Sequence, residues 1–138
     1  MCSREKMREV SSDVYKRQLG KNAKIVFAEQ IENGQDGEIL LMTDKGYAKR
    51  TPVSEFEEQG RNGKGLKAYL LNDATGKTII GALLLSQISK VTVIQKSGDM
   101  HKLMTDTIPQ DARNTKGEQV VLAIMGNDAA RLYRNIFE

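Results

Sequence analysis

The sequence repeats itself at an interval of 52 residues, and this repeat constrains the fold more than any other feature. The stretch from Glu38 to Gly65 reappears from Lys90 to Gly117 without a gap. The apolar segments follow the same register, with 39–42 over 91–94 and 68–71 over 120–123. The identical residues are Gly46, Arg61, Asn62, Lys64 and Gly65 in the first copy and Gly98, Arg113, Asn114, Lys116 and Gly117 in the second. A fixed period near 50 residues is typical of a repeat architecture.

Short apolar segments separated by glycine-rich turns predict β-strands throughout both copies. In each copy a tight turn containing Gly46 or Gly98 joins two of these segments into a hairpin. The predicted strands are 24–31, 38–43, 47–51, 66–71, 77–84, 90–95, 99–104, 118–125 and 130–137. Evenly spaced short strands without a long helical pattern between them indicate an all-β fold.

The repeat predicts two blades, 38–89 and 90–138, preceded in 19–37 by the end of another blade. Units of this kind bury their apolar faces on their neighbours, and about two and a half blades are too few to close a ring. We therefore expect a part of something larger. Residues 1–18 lack the pattern of a signal peptide and are predicted to be a non-native or disordered leader, with a native linker or frayed helix as the alternative.

The composition excludes several kinds of site. Cys2 and His101 are the only cysteine and histidine, which excludes an internal disulfide and a Cys/His metal site. A phosphate-binding P-loop is rejected because Glu58 and Gly65 replace its first glycine and its Ser/Thr. His101 is predicted to be a solvated strand-surface residue. No apolar run of about 18 residues is present, which excludes a transmembrane helix. We predict no catalytic, cofactor-binding or metal residues.

The net charge of +3 says little by itself, because residues 19–138 carry 16 basic and 15 acidic side chains. The placement of the cations is more informative, since the Arg-Asn-x-Lys-Gly loop occurs in both copies and each hairpin adds further cations. Such a loop can bring its backbone close to a phosphate while its side chains neutralise charge. An ordinary solvated turn remains the alternative, and the acidic residues Glu55, Glu57 and Glu58 argue against a uniformly positive face.

The sequence resembles the C-terminal domain that is found in the A subunits of DNA gyrase and topoisomerase IV. The resemblance covers about residues 23–138 and is carried by three segments of the first copy, 39–52, 60–65 and 75–82, with Gly98 and 113–117 in the second. The family's hallmark Gln-Arg-Arg-Gly-Gly-Lys-Gly box is degenerate here, because residues 59–65 read Gln-Gly-Arg-Asn-Gly-Lys-Gly.

The resemblance implies a β-pinwheel, a propeller-like arrangement of blades of four antiparallel strands that wraps duplex DNA around a basic rim. It implies a bacterial, cytoplasmic and nucleoid-associated part of an ATP-dependent type IIA topoisomerase, with gyrase favoured over topoisomerase IV. The partners would be double-stranded DNA, the remaining blades and catalytic core of the A subunit, and the B subunit, with ATP and Mg²⁺ used elsewhere in the holoenzyme.

Carried over to this sequence, the rim contacts are predicted to be Lys45, Lys49, Arg50, Arg61, Lys64, Lys96, Lys102, Arg113 and Lys116. The alternative hypothesis is a propeller-like protein-interaction module without a role on DNA. It requires an exposed apolar groove instead of a basic edge.

Overall fold

A computed structural model describes residues 25–31, 36–56 and 65–135 of the chain. The predicted leader, 1–18, lies outside these ranges. The strands are β1 (Glu38–Thr43), β2 (Tyr47–Pro52), β3 (Ile79–Leu85), β4 (Lys90–Gln95), β5 (Met100–Met104), β6 (Glu118–Gln119) and β7 (Ala129–Arg134). The described helical structure consists of three single 3₁₀ turns at Val53–Glu55, Thr105–Thr107 and Ile124–Gly126. The all-β prediction is confirmed, and no helix within these ranges could span a membrane.

The strands form two antiparallel sheets, ordered β3-β1-β2-β6 and β5-β4-β7. Strand β1 is apolar on both faces, because Leu40 and Met42 alternate with Ile39 and Leu41. A strand of this kind belongs at the centre of a sheet that is covered on both sides. It lies between β2 and β3, where Leu40 is opposite Arg50 and Leu83.

The 52-residue repeat is visible in the structure. The register of the ladder shifts between Met42 and Thr43 in the first sheet and between Ile94 and Gln95 in the second. The interval shortens to 50 residues at the last strand, because Thr43 pairs with Ile79 whereas Gln95 pairs with Ala129. The two copies therefore share one local architecture, with two residues fewer before the final strand of the second.

The edge strand of the first sheet comes from the second copy. Strand β6 pairs Tyr47 with Gln119 and Ala48 with Glu118, so it occupies the free edge of β2. The segment 66–71, which is predicted to be a strand, makes only a single parallel bridge from Tyr69 to Thr115, and that prediction is wrong. The first sheet thus obtains its fourth strand from the second copy, and this pairing connects the two units.

Two further predictions need correction. The described part of the predicted strand 24–31 has no regular secondary structure, and Ile25, Val26 and Ile31 are exposed. Only Phe27 of this stretch packs against the buried core. An apolar run forms a strand only where it pairs and packs with neighbours, so its propensity alone does not decide the outcome. The predicted strand 118–125 is limited to Glu118–Gln119 and is followed by a loop.

The main core lies between the two sheets. Its buried residues include Leu40 and Met42 from the first sheet and Val91 and Val93 from the second, with Ile108 from the loop after β5. A smaller cluster on the opposite face of the first sheet contains Leu41, Tyr69 and Ala82. Burying each large aliphatic side chain stabilises the fold by roughly 1.5–3 kcal/mol. The first sheet is therefore covered on both faces, and its second face supports the loop described next.

Candidate nucleic-acid interface

The loop Asp111–Gly117, called the basic loop below, is the described copy of the repeated Arg-Asn-x-Lys-Gly motif. Its entry is fixed by β2, because the Arg50 amide donates to the Pro109 carbonyl at 2.8 Å and the Asp111 amide donates to the Arg50 carbonyl at 2.9 Å. Further along, the Arg113 amide donates to Glu55 Oε1 at 3.0 Å. Asn114 turns the chain with a φ of +56°, in the left-handed region that Asn tolerates better than most residues.

The exit of the loop is fixed by Tyr69 and by a close backbone approach. The Tyr69 hydroxyl donates to the Lys116 carbonyl at 2.5 Å, and the Leu70 amide donates to the Thr115 carbonyl at 3.1 Å. Gly117 has a φ of +66°, and a Cβ there would overlap the Ala48 carbonyl oxygen and the Tyr69 hydroxyl. Glycine is therefore required at this position for both conformation and space.

Lys49 lies beneath the basic loop and is 0% exposed. Its Nζ donates to the carbonyl oxygens of Ala112 and Thr115 at 2.7 and 3.2 Å and to Thr115 Oγ1 at 3.1 Å. The same nitrogen lies 4.7 Å from the centroid of the Tyr69 ring, within the range of a cation–π contact. Burial lowers the pKa of Lys49 from 10.5 to about 8. The prediction of a rim contact does not fit this location, since the ammonium faces the interior.

The surface of the basic loop carries cations. Lys116 is exposed, and Arg113 is half-buried with its Nη1 donating to the Lys67 carbonyl at 3.2 Å. Lys67 itself is exposed beside them. Sequence reasoning missed Lys67, because the 52-residue register places it over Gln119 and the repeat gives no signal there. The loop thus combines a hydrogen-bonded backbone with an exposed Lys116 and a partly exposed Arg113.

The hairpin lysines of the two units converge on one carboxylate. Lys45 Nζ lies 2.9 Å from Asp128 Oδ1, and Lys96 Nζ lies 3.7 Å from Asp128 Oδ2. The hydrogen bond between Lys45 and Asp128 raises the pKa of the lysine and lowers the pKa of the carboxyl. Both cations remain close to the surface, but part of their charge is balanced within the protein.

Arg50 has a largely structural environment. Its Nη1 lies 2.7 Å from Glu38 Oε1, and its Nε donates to the Ile108 carbonyl at 2.7 Å. The side chain is only 20% exposed. Arg50 therefore joins β1 and β2 to the loop of the second unit, whereas its counterpart Lys102 is exposed on β5.

Three other predicted residues require comment. Arg61 and Lys64 lie outside the described residues, so the first copy of the repeated loop is not placed. His101 is half-buried rather than solvated, and its Nε2 lies 2.7 Å from Gln95 Oε1, which corrects the prediction of a surface residue.

Comparison with known proteins gives a family resemblance. Residues 37–83 match a family model described as the DNA gyrase C-terminal domain, a β-propeller. The DNA gyrase A subunit from Thermotoga maritima is 32% identical over 129 residues, covering 85% of this chain and 15% of the relative. The chain resembles the DNA gyrase C-terminal domain family. The corresponding protein from Pseudomonas aeruginosa is 28% identical over 115 residues, covering 76% of this chain and 12% of the relative.

Solved structures of this family share the fold. The C-terminal domain of DNA gyrase A has a TM-score of 0.67 at 18% identity, covering 73% of this chain and 34% of that domain. The C-terminal domain of DNA topoisomerase IV has the same TM-score at 17% identity, covering 76% and 32%. The propeller-like fold is thereby confirmed. The chain spans about an eighth of the length of these two curated relatives.

Proposed function

We propose that this chain binds double-stranded DNA through its phosphates, without reading sequence, and takes part in wrapping DNA. The observation that carries this proposal is the basic loop, in which a backbone fixed by Lys49, Tyr69 and Gly117 exposes Lys116 and part of Arg113. Cations on a rigid loop suit phosphate binding, because no further ordering entropy is lost when the DNA arrives.

The proposed contacts differ in their expected strength. Lys102, Arg113 and Lys116 form the main set, and Lys67 joins them because its carbonyl accepts from Arg113. Lys45, Lys96 and Arg50 are weaker candidates because each is paired with a carboxylate. We leave Lys49 out of the direct contacts because it is buried. Arg61 and Lys64 are included through their equivalence to Arg113 and Lys116 in the repeat.

Resemblance to the family supports a wider role. We propose that the chain acts within the A subunit of a bacterial type IIA topoisomerase, in the cytoplasm and on the nucleoid. Its partners there would be the remaining blades, the catalytic core and the B subunit, and the steps that use ATP and Mg²⁺ would take place on those parts. The two curated relatives described above are gyrase subunits, which favours gyrase over topoisomerase IV.

The exposed apolar face of the second sheet bears on the alternative, a protein-interaction module. Met100 is 61% exposed and Tyr133 is 45% exposed, and Lys102 lies on the same face, on β5 with Met100 and across β4 from Tyr133. In the first sheet, Leu40 and Met42 of the equivalent face pack in the core between the two sheets. The exposure of this face therefore follows from the geometry of the repeat and is no specific sign of another protein.

The test is a DNA-binding titration of the full 138-residue chain with a labelled random-sequence duplex between about 50 and 200 mM salt. Each phosphate contact contributes a slope of about −0.9 to log K against log salt, so Lys116→Ala should reduce the steepness by about that amount. Lys77→Ala is the matched control, because Lys77 is exposed and lies 3.6 Å from Asp73 on the turn before β3. A folded chain that fails to bind at low salt would overturn the proposal.

A further inference from the structure

Lys49 is a fully buried cation that the proposed DNA contacts do not use. Its three hydrogen bonds end on Ala112 and Thr115, and both residues belong to the basic loop. An ammonium has three donors and no acceptor, so these bonds use its full capacity. A lysine that only filled space would not need three acceptors from one loop. The arrangement is instead that of a cation around which a loop is folded.

The contacts of Lys49 help to fix the middle of the loop, where the Leu70 amide also donates to the Thr115 carbonyl. The ends are held by Arg50 and Tyr69, whereas the turn between them depends on Thr115 Oγ1 donating to the Ala112 carbonyl at 2.8 Å and on the Arg113 amide bond to Glu55. The ammonium turns the carbonyls of Ala112 and Thr115 toward the interior. With these carbonyls drawn inward, the side chain of Lys116 lies at the surface.

We propose that Lys49 is a positioning residue for DNA binding, which holds the carbonyl groups of the basic loop inward and so presents Lys116 and Arg113 to phosphates. This inference rests on the proposed function, because it assigns Lys49 a task within the same interface. It also gives a buried charge, which is costly to retain in a core, a reason to be there.

The protonation of Lys49 adds a second prediction. Burial lowers its pKa to about 8; the carboxylates of Asp111 and Glu55 oppose this shift, whereas the Arg113 guanidinium adds to it. The Tyr69 hydroxyl stays protonated in this range, because burial raises its pKa above the ordinary value of 10.0. A loop that opens to solvent restores the ordinary pKa of 10.5, so opening takes up a proton above pH 8 and becomes less favourable as the pH rises.

The experiment compares the full chain with Lys49→Met, which keeps an unbranched side chain as far as Cε and removes its donors, and with Lys77→Met as the exposed control. Amide hydrogen exchange at Leu70 and Arg113 reports the loop, and the salt dependence of duplex binding reports the interface. We expect faster exchange at both amides in Lys49→Met and a salt slope shallower by about 0.9, as in Lys116→Ala. Between pH 7 and about 9 the protection of both amides should rise in the parent relative to Lys49→Met.

The outcomes separate the two proposals. Failure of the parent to bind DNA would overturn the proposed function and the positioning role with it. A parent that binds while a folded Lys49→Met keeps the same slope, affinity and exchange would overturn the positioning role alone. Weaker binding without faster exchange would also overturn it, because Lys49 would then act through its charge. If Lys49→Met fails to fold, Thr115→Val removes one acceptor from the opposite side and is judged by the same three measurements.

Discussion

Replacing Lys49 should remove a pH dependence of stability that the parent shows in mildly alkaline solution. The pKa of Lys49 is about 8 in the folded protein and 10.5 as its ordinary value, so the unfolded chain binds more protons between these limits. The free energy of unfolding therefore rises with pH in this window. The contribution of Lys49 to this rise is lost as the pH falls through 8. Lys49→Met has no titrating group at this position and should lack the rise.

The magnitude follows from the two pKa values. Between pH 7 and about 9.5 the rise is about 2 kcal/mol without screening, and we expect about half of that because the covering loop lies at the surface. The pH window ends below 10.0 so that Tyr69 does not contribute to the change. Burial raises the pKa of Tyr69, so its contribution to stability is present below pH 10.0 and is lost above it. This change has the opposite sign to that of Lys49.

The assay is urea denaturation followed by circular dichroism at several pH values across this window. The quantity of interest is the unfolding free energy of the parent minus that of Lys49→Met at each pH. Lys116→Met serves as the control, because Lys116 is exposed and this variant should follow the parent. Parallel pH profiles for the parent and Lys49→Met would refute the reasoning, since Lys49 would then be solvated or fully compensated.

Three other variants test separate parts of the account. Gly117→Ala should destabilise the fold by at least about 1–2 kcal/mol in urea denaturation, because an L-residue is strained at this φ. It should cost more than Gly98→Ala, where no atom lies within 4 Å of the added Cβ, and equal losses would contradict the proposed overlap. Ile108→Ala should cost about 2–5 kcal/mol through a cavity between the sheets, against under about 0.5 for Ile88→Ala at a 60% exposed site. Asp128→Asn should strengthen duplex binding at low salt, because Lys45 and Lys96 lose their shared carboxylate, and unchanged binding would exclude both lysines from the interface.

The strands at the centre of each sheet are closely predictable from the sequence. Strands β1 and β4 have the predicted bounds, because apolar-rich segments end at hairpin turns that contain Gly46 or Gly98. Both glycines have positive φ, which few other residues adopt without strain. Local patterning is sufficient here because nothing in the tertiary structure competes with it.

The pairing of β6 with the sheet of the first copy could not be predicted in the same way. Glu118–Gln119 is a two-residue polar strand without apolar alternation, and its pairing depends on a free edge at β2. The segment 66–71 is more apolar, yet its one described bridge is the parallel bridge from Tyr69 to Thr115. Propensity favours the wrong segment of the two, because the availability of a partner decides which one pairs.

Lys49 shows why the candidate site is only partly predictable. Lysine is almost never fully buried, so a cation next to Arg50 is expected at the surface. The sequence does contain a signal of burial. Lys49 shares one face of β2 with Tyr47 and Thr51, and it lies opposite the apolar Leu41 of β1. Whether that face is covered depends on residues 65–70 and on the basic loop, whose position follows only from the fold.

The most direct test of the central claim is an NMR titration of the isotope-labelled full chain with a random-sequence DNA duplex at low salt. The account predicts that shift changes concentrate in the amides of residues 111–117 and near Lys67, Lys96 and Lys102, and that they disappear as the salt concentration is raised. It also predicts smaller changes across 111–117 in Lys49→Met. Shift changes confined to the exposed face around Met100 and Tyr133, or none at low salt, would contradict the claim that the basic loop binds DNA.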